Sequence, residues 1–423
     1  MPRTSWPSPG GPGGGDRALR LLFVSDAFIT NDMGGAERVL WEQARRLAKR
    51  GHQIRVLAGC PAGLLREPEV LEGVAVRYFP WDERGALGHL LTAYRNCRAA
   101  LRSLAREGGV DLLSVHLPLS AFAALAPPRP ISAPAVVTFH APWDQEFRLK
   151  IPGAPLTSPT VALRAFSRRL LQAFTLRRSE GLLCLSAFMR DEAERVAPLR
   201  GKRVAVIPGG VDCGRFAPGP EKAGPRVSLG LPREGTLLLT VRRLTPRMGL
   251  ERLLQAFREL AGDFPGAYLL LAGEGPLRGA LDREIRAAGL AGRARLLSFV
   301  PERDLPVLYR AADLFVLPTA ALEGFGMVTL EALASGLPVL ATPVGGTLEI
   351  LRDLPGPFLA EDASPGALVR GLRRFLTMPA AEREAWGARC REHAVARYAW
   401  ERVIPQVEAY FASAASGRGD GSG

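Results

Sequence analysis

The stretch ADLFVLPTAALEGFGMVTLEALASGLPVLATPVGG, residues 312–346, decides how the rest of the chain reads. It opens on a short apolar run suited to a buried parallel strand ending near Pro318. A loop through Glu323, Gly324, Phe325 and Gly326 follows, then good helix formers from Met327 to Ser335, stopped by Gly336 and Pro338. A glycine-flanked turn that opens a helix at the end of a parallel strand is an anion site. The unpaired N–H groups of the first turn point outward and the helix dipole favours negative charge. Gly324 and Gly326 let a ligand approach the backbone closely. Glu323 falls on the loop and Glu331 eight residues later, inside the helix. On one continuous helix they would lie about 80° apart, at roughly 100° per residue. The loop frees Glu323 from that relation, so the two carboxylates are able to face one ligand from different sides. Each accepts two hydroxyl donors, which suits sugars and riboses. Taken alone, the spacing fits equally well a solvated loop carboxylate and a charge on a helix.

Outward from this stretch, TLLLTV (236–241), AYLLLAG (267–273), ARLLSFV (294–300) and LPVLATP (337–343) read as further buried strands, with helices such as 250–260 and 277–288 between them. Upstream, LRLLFVS (19–25), QIRVLAG (53–59), VAVRYF (74–79), DLLSVH (111–116), AVVTFH (135–140) and GLLCLS (181–186) alternate with helices at 36–50, 86–107 and 160–179. This rhythm predicts, in each half, a parallel sheet with helices on both faces. The Pro/Gly-rich stretch 207–225 separates the halves, and 423 residues suit two domains. The expected organisation is a tail at 1–18, an N-terminal domain at 19–206 and a C-terminal domain at 207–398. A helix at 399–415 returns to the N-terminal domain, and a second tail covers 416–423. Pro405 is expected to end or kink that helix. Two doubly wound domains imply a cleft, with ligands at the carboxyl ends of the strands.

The chain carries a net charge of +13, concentrated in residues 1–205, where 29 Lys and Arg face 18 Asp and Glu. A basic first half suggests an anionic partner such as lipid headgroups, a phosphorylated acceptor or nucleic acid. A general preference for arginine explains it as well, because only four of the 55 basic residues are lysine. Low aromatic content, at 7%, and the absence of a recognition motif argue against nucleic acid. Cys60, Cys97, Cys184, Cys213 and Cys390 are scattered and odd in number, which favours a reducing cytoplasm and no zinc site. The first 16 residues hold no apolar core of a signal peptide, and no run of about 18 apolar residues spans a membrane.

Taken together, the motifs resemble the family 4 glycosyltransferases, which are retaining enzymes of the GT-B fold. The resemblance rests on GGAERV (34–39), TFH (138–140), LSAFMRDEA (185–193), IPGGVD (207–212), VRRLTPRMG (241–249), LAGEGPL (271–277), the 312–342 stretch and GGTLEI (345–350). They occur in family order over most of the chain. The implied fold class is α/β, with two Rossmann-like doubly wound domains facing across a cleft. The implied reaction moves a sugar from a nucleoside diphosphate sugar to a hydroxyl acceptor with retention, in glycolipid, polysaccharide or cell-envelope glycan synthesis.

The resemblance also implies roles. Glu331 holds the ribose hydroxyls and Glu323 the donor sugar, while the backbone of Phe325, Gly326 and Met327 holds the phosphates. Gly34 and Gly35 match the glycine loop that closes on the diphosphate. Arg243 matches the arginine of a G-R-L element that neutralises the leaving group, and the lysine expected five residues later is Met248 here. Arg247 is the candidate to replace it, since a guanidinium clamps phosphate bidentately. His140 matches the cleft histidine near the reacting carbon, and His116 is expected to shape the cleft or the acceptor pocket. Ser186 and Asp191 are given no chemistry. His140, Glu323 and Arg243 are thus the catalytic candidates, and no cofactor or metal is expected, as no D-x-D occurs.

Between His140 and Gly181, Arg164, Arg168, Arg169, Arg177 and Arg178 interleave with Leu163, Phe166, Leu170, Leu171 and Phe174. Such a basic amphipathic helix either packs on its own domain or lies on an anionic bilayer. The expected location is therefore cytoplasmic, at the inner membrane face, with a lipid-linked or anionic acceptor. Same-fold alternatives are a sugar phosphorylase or synthase, a nucleotide-sugar epimerase, or a non-catalytic binding subunit, the last favoured by Met248.

Overall fold

The computed structural model describes residues 18–29, 34–82, 85–150, 158–219, 221–354 and 358–417. The expected tails at 1–18 and 416–423 lie outside the described residues except at their inner edges. The chain forms two compact units. One runs to Arg148, continues from Ala154 to Pro208 and resumes at Val403; the other is Gly209–Arg402 with the short segment Leu149–Gly153.

In the first unit, eight strands run in chain order as β1 (Arg20–Ser25), β2 (Gln53–Pro61), β3 (Glu69–Leu71), β4 (Val74–Trp81), β5 (Leu112–His116), β6 (Ala135–Phe139), β7 (Gly181–Cys184) and β8 (Arg203–Val206). Their order in the sheet is β3-β4-β2-β1-β5-β6-β7-β8. All neighbours are parallel except β3 and β4. The antiparallel edge departs from the parallel sheet expected. Glu72 and Gly73 both take positive φ, 43° and 84°, the tight hairpin geometry that returns β3 onto β4. The sequence reading also placed nothing at β8, an edge strand of only four residues with partial exposure.

The second unit holds β9 (Thr236–Val241), β10 (Ala267–Ala272), β11 (Ala294–Leu297), β12 (Leu314–Leu317) and β13 (Val339–Ala341), ordered β11-β10-β9-β12-β13 and wholly parallel. Central strands are apolar throughout because helices cover both faces: Leu21, Leu22, Phe23 and Val24 on β1 and all four residues of β12 are at most 1% exposed. The helix Leu250–Leu260 shows the matching period, burying Leu250, Leu253, Leu254, Phe257 and Leu260. They pack with Leu238, Leu269, Leu271, Leu314 and Val316 of the sheet. Each sheet reverses its strand order beside its first strand, between β1 and β5 and between β9 and β12. These are the switch points where loops leave strand ends in opposite directions and open a crevice.

Pro405 does not end the helix: one helix runs Trp400–Ser416 with Pro405 inside it. Contacts from its C-terminal half hold that part against the first sheet. The Tyr410 hydroxyl lies 3.0 and 2.9 Å from the Leu182 and Arg203 carbonyl oxygens, and Phe411 packs edge-on to Phe23. Glu408 pairs with Arg50 and His52. Among the described residues no helix is long and apolar enough to cross a membrane.

The helix Pro159–Arg178 has two apolar faces. Val161, Ala165, Ala173 and Leu176 are buried, and the Phe174 ring packs against Phe122. Leu163, Phe166 and Leu170 form a second, exposed stripe at 68, 55 and 51% exposure. Arg168 folds back over the Phe147 ring at 3.8 Å.

Candidate active site

The loop after β12 carries Glu323 to the switch point of the second sheet. Leu322 before it sits at φ 56°, a left-handed conformation that costs a side-chain-bearing residue energy and needs outside support. Arg247 supplies part of it, donating from Nη1 to the Leu322 carbonyl at 2.7 Å. Gly345 and Gly346 supply more. The Gly346 N–H donates to the Glu323 carbonyl at 2.9 Å, and a Cβ on Gly345, itself at φ 63°, would fall 2.0 Å from that oxygen. The Glu323 side chain is buried, and burial alone would raise its pKa. The Arg242 guanidinium, 2.5 Å from Oε2, reverses the sign and holds the carboxyl below its usual range. Thr319 joins them, its hydroxyl accepting from Arg242 Nη1 at 2.6 Å and donating to Glu323 Oε2 at 3.0 Å.

Glu331 lies inside the helix Met327–Ala334 at 2% exposure, and its Oε2 accepts from the Tyr309 hydroxyl at 2.9 Å. Gly326 begins that helix at φ 100°, a conformation glycine adopts without strain. A Cβ there would meet the hydroxyls of Thr347 and Thr329 at 3.0 and 3.1 Å. Both hydroxyls are buried and have no hydrogen-bond partner among the described residues. Phe325 is buried edge-on to Tyr398, and the Met327 sulfur packs against the backbone of Gly209. This combination of open first-turn N–H groups, buried hydroxyls and a nearby ionised carboxylate suits an anionic ligand that also carries hydroxyls.

Arg243 is exposed just beyond β9. Residues alternate in direction along a strand, so it diverges from Arg242, whose N–H still pairs with the Ala272 carbonyl of β10. Met248 is 5% exposed within the apolar core, so the position where lysine was expected is closed to a ligand.

The first sheet's switch point gathers a different set. His116, ending β5, is fully buried, and its Nδ1 lies 3.1 Å from His140 Nε2 just past β6. Its other nitrogen lies 3.2 Å from the Ser114 hydroxyl and 3.5 Å from that of Thr138. This corrects the expectation that His116 shapes a pocket: with no exposed surface, it supports His140 from behind. Burial, with His140 adding to it, pushes the His116 pKa well below the usual imidazole range. Burial lowers that of His140 to about 4, so both rings are neutral at physiological pH. Asp26, just after β1, accepts from the N–H groups of Leu119 and Ser120 at the start of the helix Pro118–Leu125. Burial nonetheless raises its pKa to about 6.

Gly34 and Gly35 begin the helix Gly35–Lys49, with the Gly34 N–H donating to Glu37 Oε2 at 3.0 Å. Residues 30–33 before them lie outside the described residues. Ser186 caps the helix Ala187–Val196 by accepting from the Met189 N–H, a structural task. The sequence reading missed Arg242, Thr319, Tyr309 and Asp26. Strand parity was the one available signal, and it singles out Arg242 only once the end of β9 is known.

A family model described as Glycosyl transferases group 1 matches residues 225–393, and one described as Glycosyltransferase Family 4 matches residues 33–215. A D-inositol 3-phosphate glycosyltransferase of Geodermatophilus obscurus is 32% identical over 408 residues, covering 91% of this chain and 86% of that one. A glycogen synthase of Mycobacterium tuberculosis is 27% identical over 425 residues, covering 94% and 96%. Among solved structures, the sucrose-phosphate synthase of Thermosynechococcus elongatus matches with a TM-score of 0.79 at 20% identity, over 94% of this chain and 100% of that one.

Proposed function

Because the chain belongs to the group 1, family 4 glycosyltransferases and has their GT-B fold, it is a glycosyltransferase, and we propose that it transfers a sugar from a nucleoside diphosphate donor to a hydroxyl acceptor with retention of configuration. The observation that carries this reading is the pair of buried glutamates on either side of a helix start. Glu331 takes the ribose hydroxyls, Glu323 the sugar, and the N–H groups around Phe325, Gly326 and Met327 take the diphosphate. Arg243 and Arg247 add to the diphosphate's surroundings. The reaction is front-side: the bond from the anomeric carbon to the leaving phosphate oxygen breaks, and the acceptor oxygen bonds on the same face. The acceptor proton passes to that phosphate oxygen. The protein's contribution is positioning and stabilisation of the departing charge. No carboxylate acts as nucleophile and no metal is required; full activity in excess chelator tests the second point.

The acceptor is anionic or lipid-linked, in the synthesis of a glycolipid, polysaccharide or envelope glycan. The basic first half and the exposed Leu163, Phe166 and Leu170 stripe support contact with an anionic membrane. Vesicles of phosphatidylglycerol should sediment the protein, and L163S/F166S/L170S should release it; equal sedimentation of both removes the membrane contact.

The donor is tested by thermal unfolding with UDP-glucose, GDP-mannose and ADP-glucose, since a matching donor stabilises by mass action. E331A should abolish the stabilisation by both nucleoside diphosphate and nucleotide sugar, and E323A should keep that by the diphosphate alone. Unchanged stabilisation in both variants would refute the assignment.

A further inference from the structure

Arg242 is more than a neighbour of Glu323. Its side chain is 5% exposed and that of Glu323 10%, at the crevice end of β9 and in the loop after β12. Both protein contacts to the carboxylate, from Arg242 Nη2 and from Thr319, fall on Oε2. Among the described residues Oε1 has no hydrogen-bond partner. A guanidinium has five N–H donors. Arg242 uses one toward Thr319 and one toward Glu323, and the other three have no partner among the described residues.

Neither Arg242 Nε nor Glu323 Oε1 is among the buried side-chain atoms left without a partner, so both are open to solvent beside the loop proposed to hold the donor. An ion pair kept only for stability gains nothing from such open groups, and a ligand carrying hydroxyls can occupy them. A sugar hydroxyl matches such a set, since it donates one proton and accepts at its oxygen. Phosphate matches the guanidinium but is repelled by the carboxylate.

We infer that Arg242 is a sugar-recognising residue: with Glu323 it forms an acceptor–donor pair that selects a hydroxylated donor sugar and orients the Glu323 carboxylate toward it. The inference rests on the reading that Glu323 meets the donor sugar. Arg242 acts on the sugar end of the donor and leaves the nucleoside diphosphate end to Glu331 and the helix start. It also preserves a buried charge that, unpaired, would protonate and lose its preference for hydroxyl donors.

Calorimetric titration of the full chain with UDP, GDP, ADP, UDP-glucose, GDP-mannose and ADP-glucose tests this in wild type, R242M, R242K, E323Q and R242M/E323Q. R242M should weaken the nucleotide sugar by roughly tenfold or more and leave the matching nucleoside diphosphate within about twofold. R242K, which restores a single cation without the fork, should recover part of the loss. R242M/E323Q should bind no more weakly than the worse single variant, because the two residues act as a unit. An intact diphosphate affinity in R242M also certifies that the variant is folded. Equal weakening of diphosphate and sugar conjugate overturns the inference, as does R242M with wild-type affinity for both. If E323Q leaves the sugar conjugate unaffected, the underlying reading of Glu323 fails. If E323Q weakens it and R242M does not, only the role of Arg242 fails.

Discussion

At the carboxyl ends of β1, β5 and β6 the first sheet gathers Asp26, His116 and His140, while those of β9 and β12 gather Arg242, Arg247 and Glu323. Both sets occupy switch points, and both are drawn from water. In the first set every group moves toward neutrality: the two imidazole pKa values fall and that of the Asp26 carboxyl rises. In the second, Glu323 is equally removed from water yet more acidic than usual. The difference is a counter-charge within hydrogen-bond distance. Burial by itself discharges a group, and burial against a partner fixes its charge. One switch point therefore offers neutral hydrogen-bonding rings, and the other a fixed arrangement of charges.

The largest expected effect breaks the charged side of this comparison. R242M and E323M should each cost about 3 kcal/mol or more in urea unfolding, because each strands a buried charge. R242M/E323M should recover most of that loss. Single variants within about 1 kcal/mol of wild type would mean that the pair is solvated and the contrast false.

Next, E331A should weaken nucleoside diphosphate binding about 100-fold by calorimetry, the loss of two hydrogen bonds to a charged group at about 1.5 kcal/mol each. An affinity within about threefold of wild type would place the ribose elsewhere.

The neutral side is sharpened by pH. His140 and His116 bind protons less readily in the folded chain, so their contribution to stability is full above about pH 6.5 and is lost as pH falls through about 4, the folded value of His140. H140N should flatten this acid limb in unfolding measured by circular dichroism across that range. An unaltered acid limb would assign the loss to other groups.

Asp26 has the opposite sign and gives the smallest change. Its folded pKa of about 6 exceeds its ordinary value of 3.8, so its contribution is full below pH 3.8 and lost as pH rises through 6. D26N should cost about 1 kcal/mol, since the amide nitrogen turns toward a backbone N–H, and should remove that slope. A slope that persists in D26N would exclude Asp26 as its source.

Much of this was legible in the chain. The apolar runs at 19–25, 236–241 and 312–318 are buried strands because helices cover both faces, and such runs have few alternatives. The helix opened by Gly326 begins at Met327, because a glycine-flanked turn followed by good formers nucleates there. The hairpin at Glu72-Gly73 was missed because β3 spans three residues, too short for alternation to register. Leu163, Phe166 and Leu170 were grouped with Leu171 and Phe174, since composition does not say which face of a helix the rest of the domain covers.

The sequence by itself determined two α/β halves, a loop glutamate and a helix glutamate beside a glycine-flanked helix start, and a methionine where a lysine was expected. All of these are local, written in spacing and residue type over a few turns of chain. Only the tertiary structure decided that Arg242 and not Arg243 meets Glu323, that Tyr309 reaches Glu331 and that His116 backs His140. Those partners lie 81, 22 and 24 residues apart. Which strand ends and helices meet is set by sheet order and helix packing, and local residue patterns do not encode either.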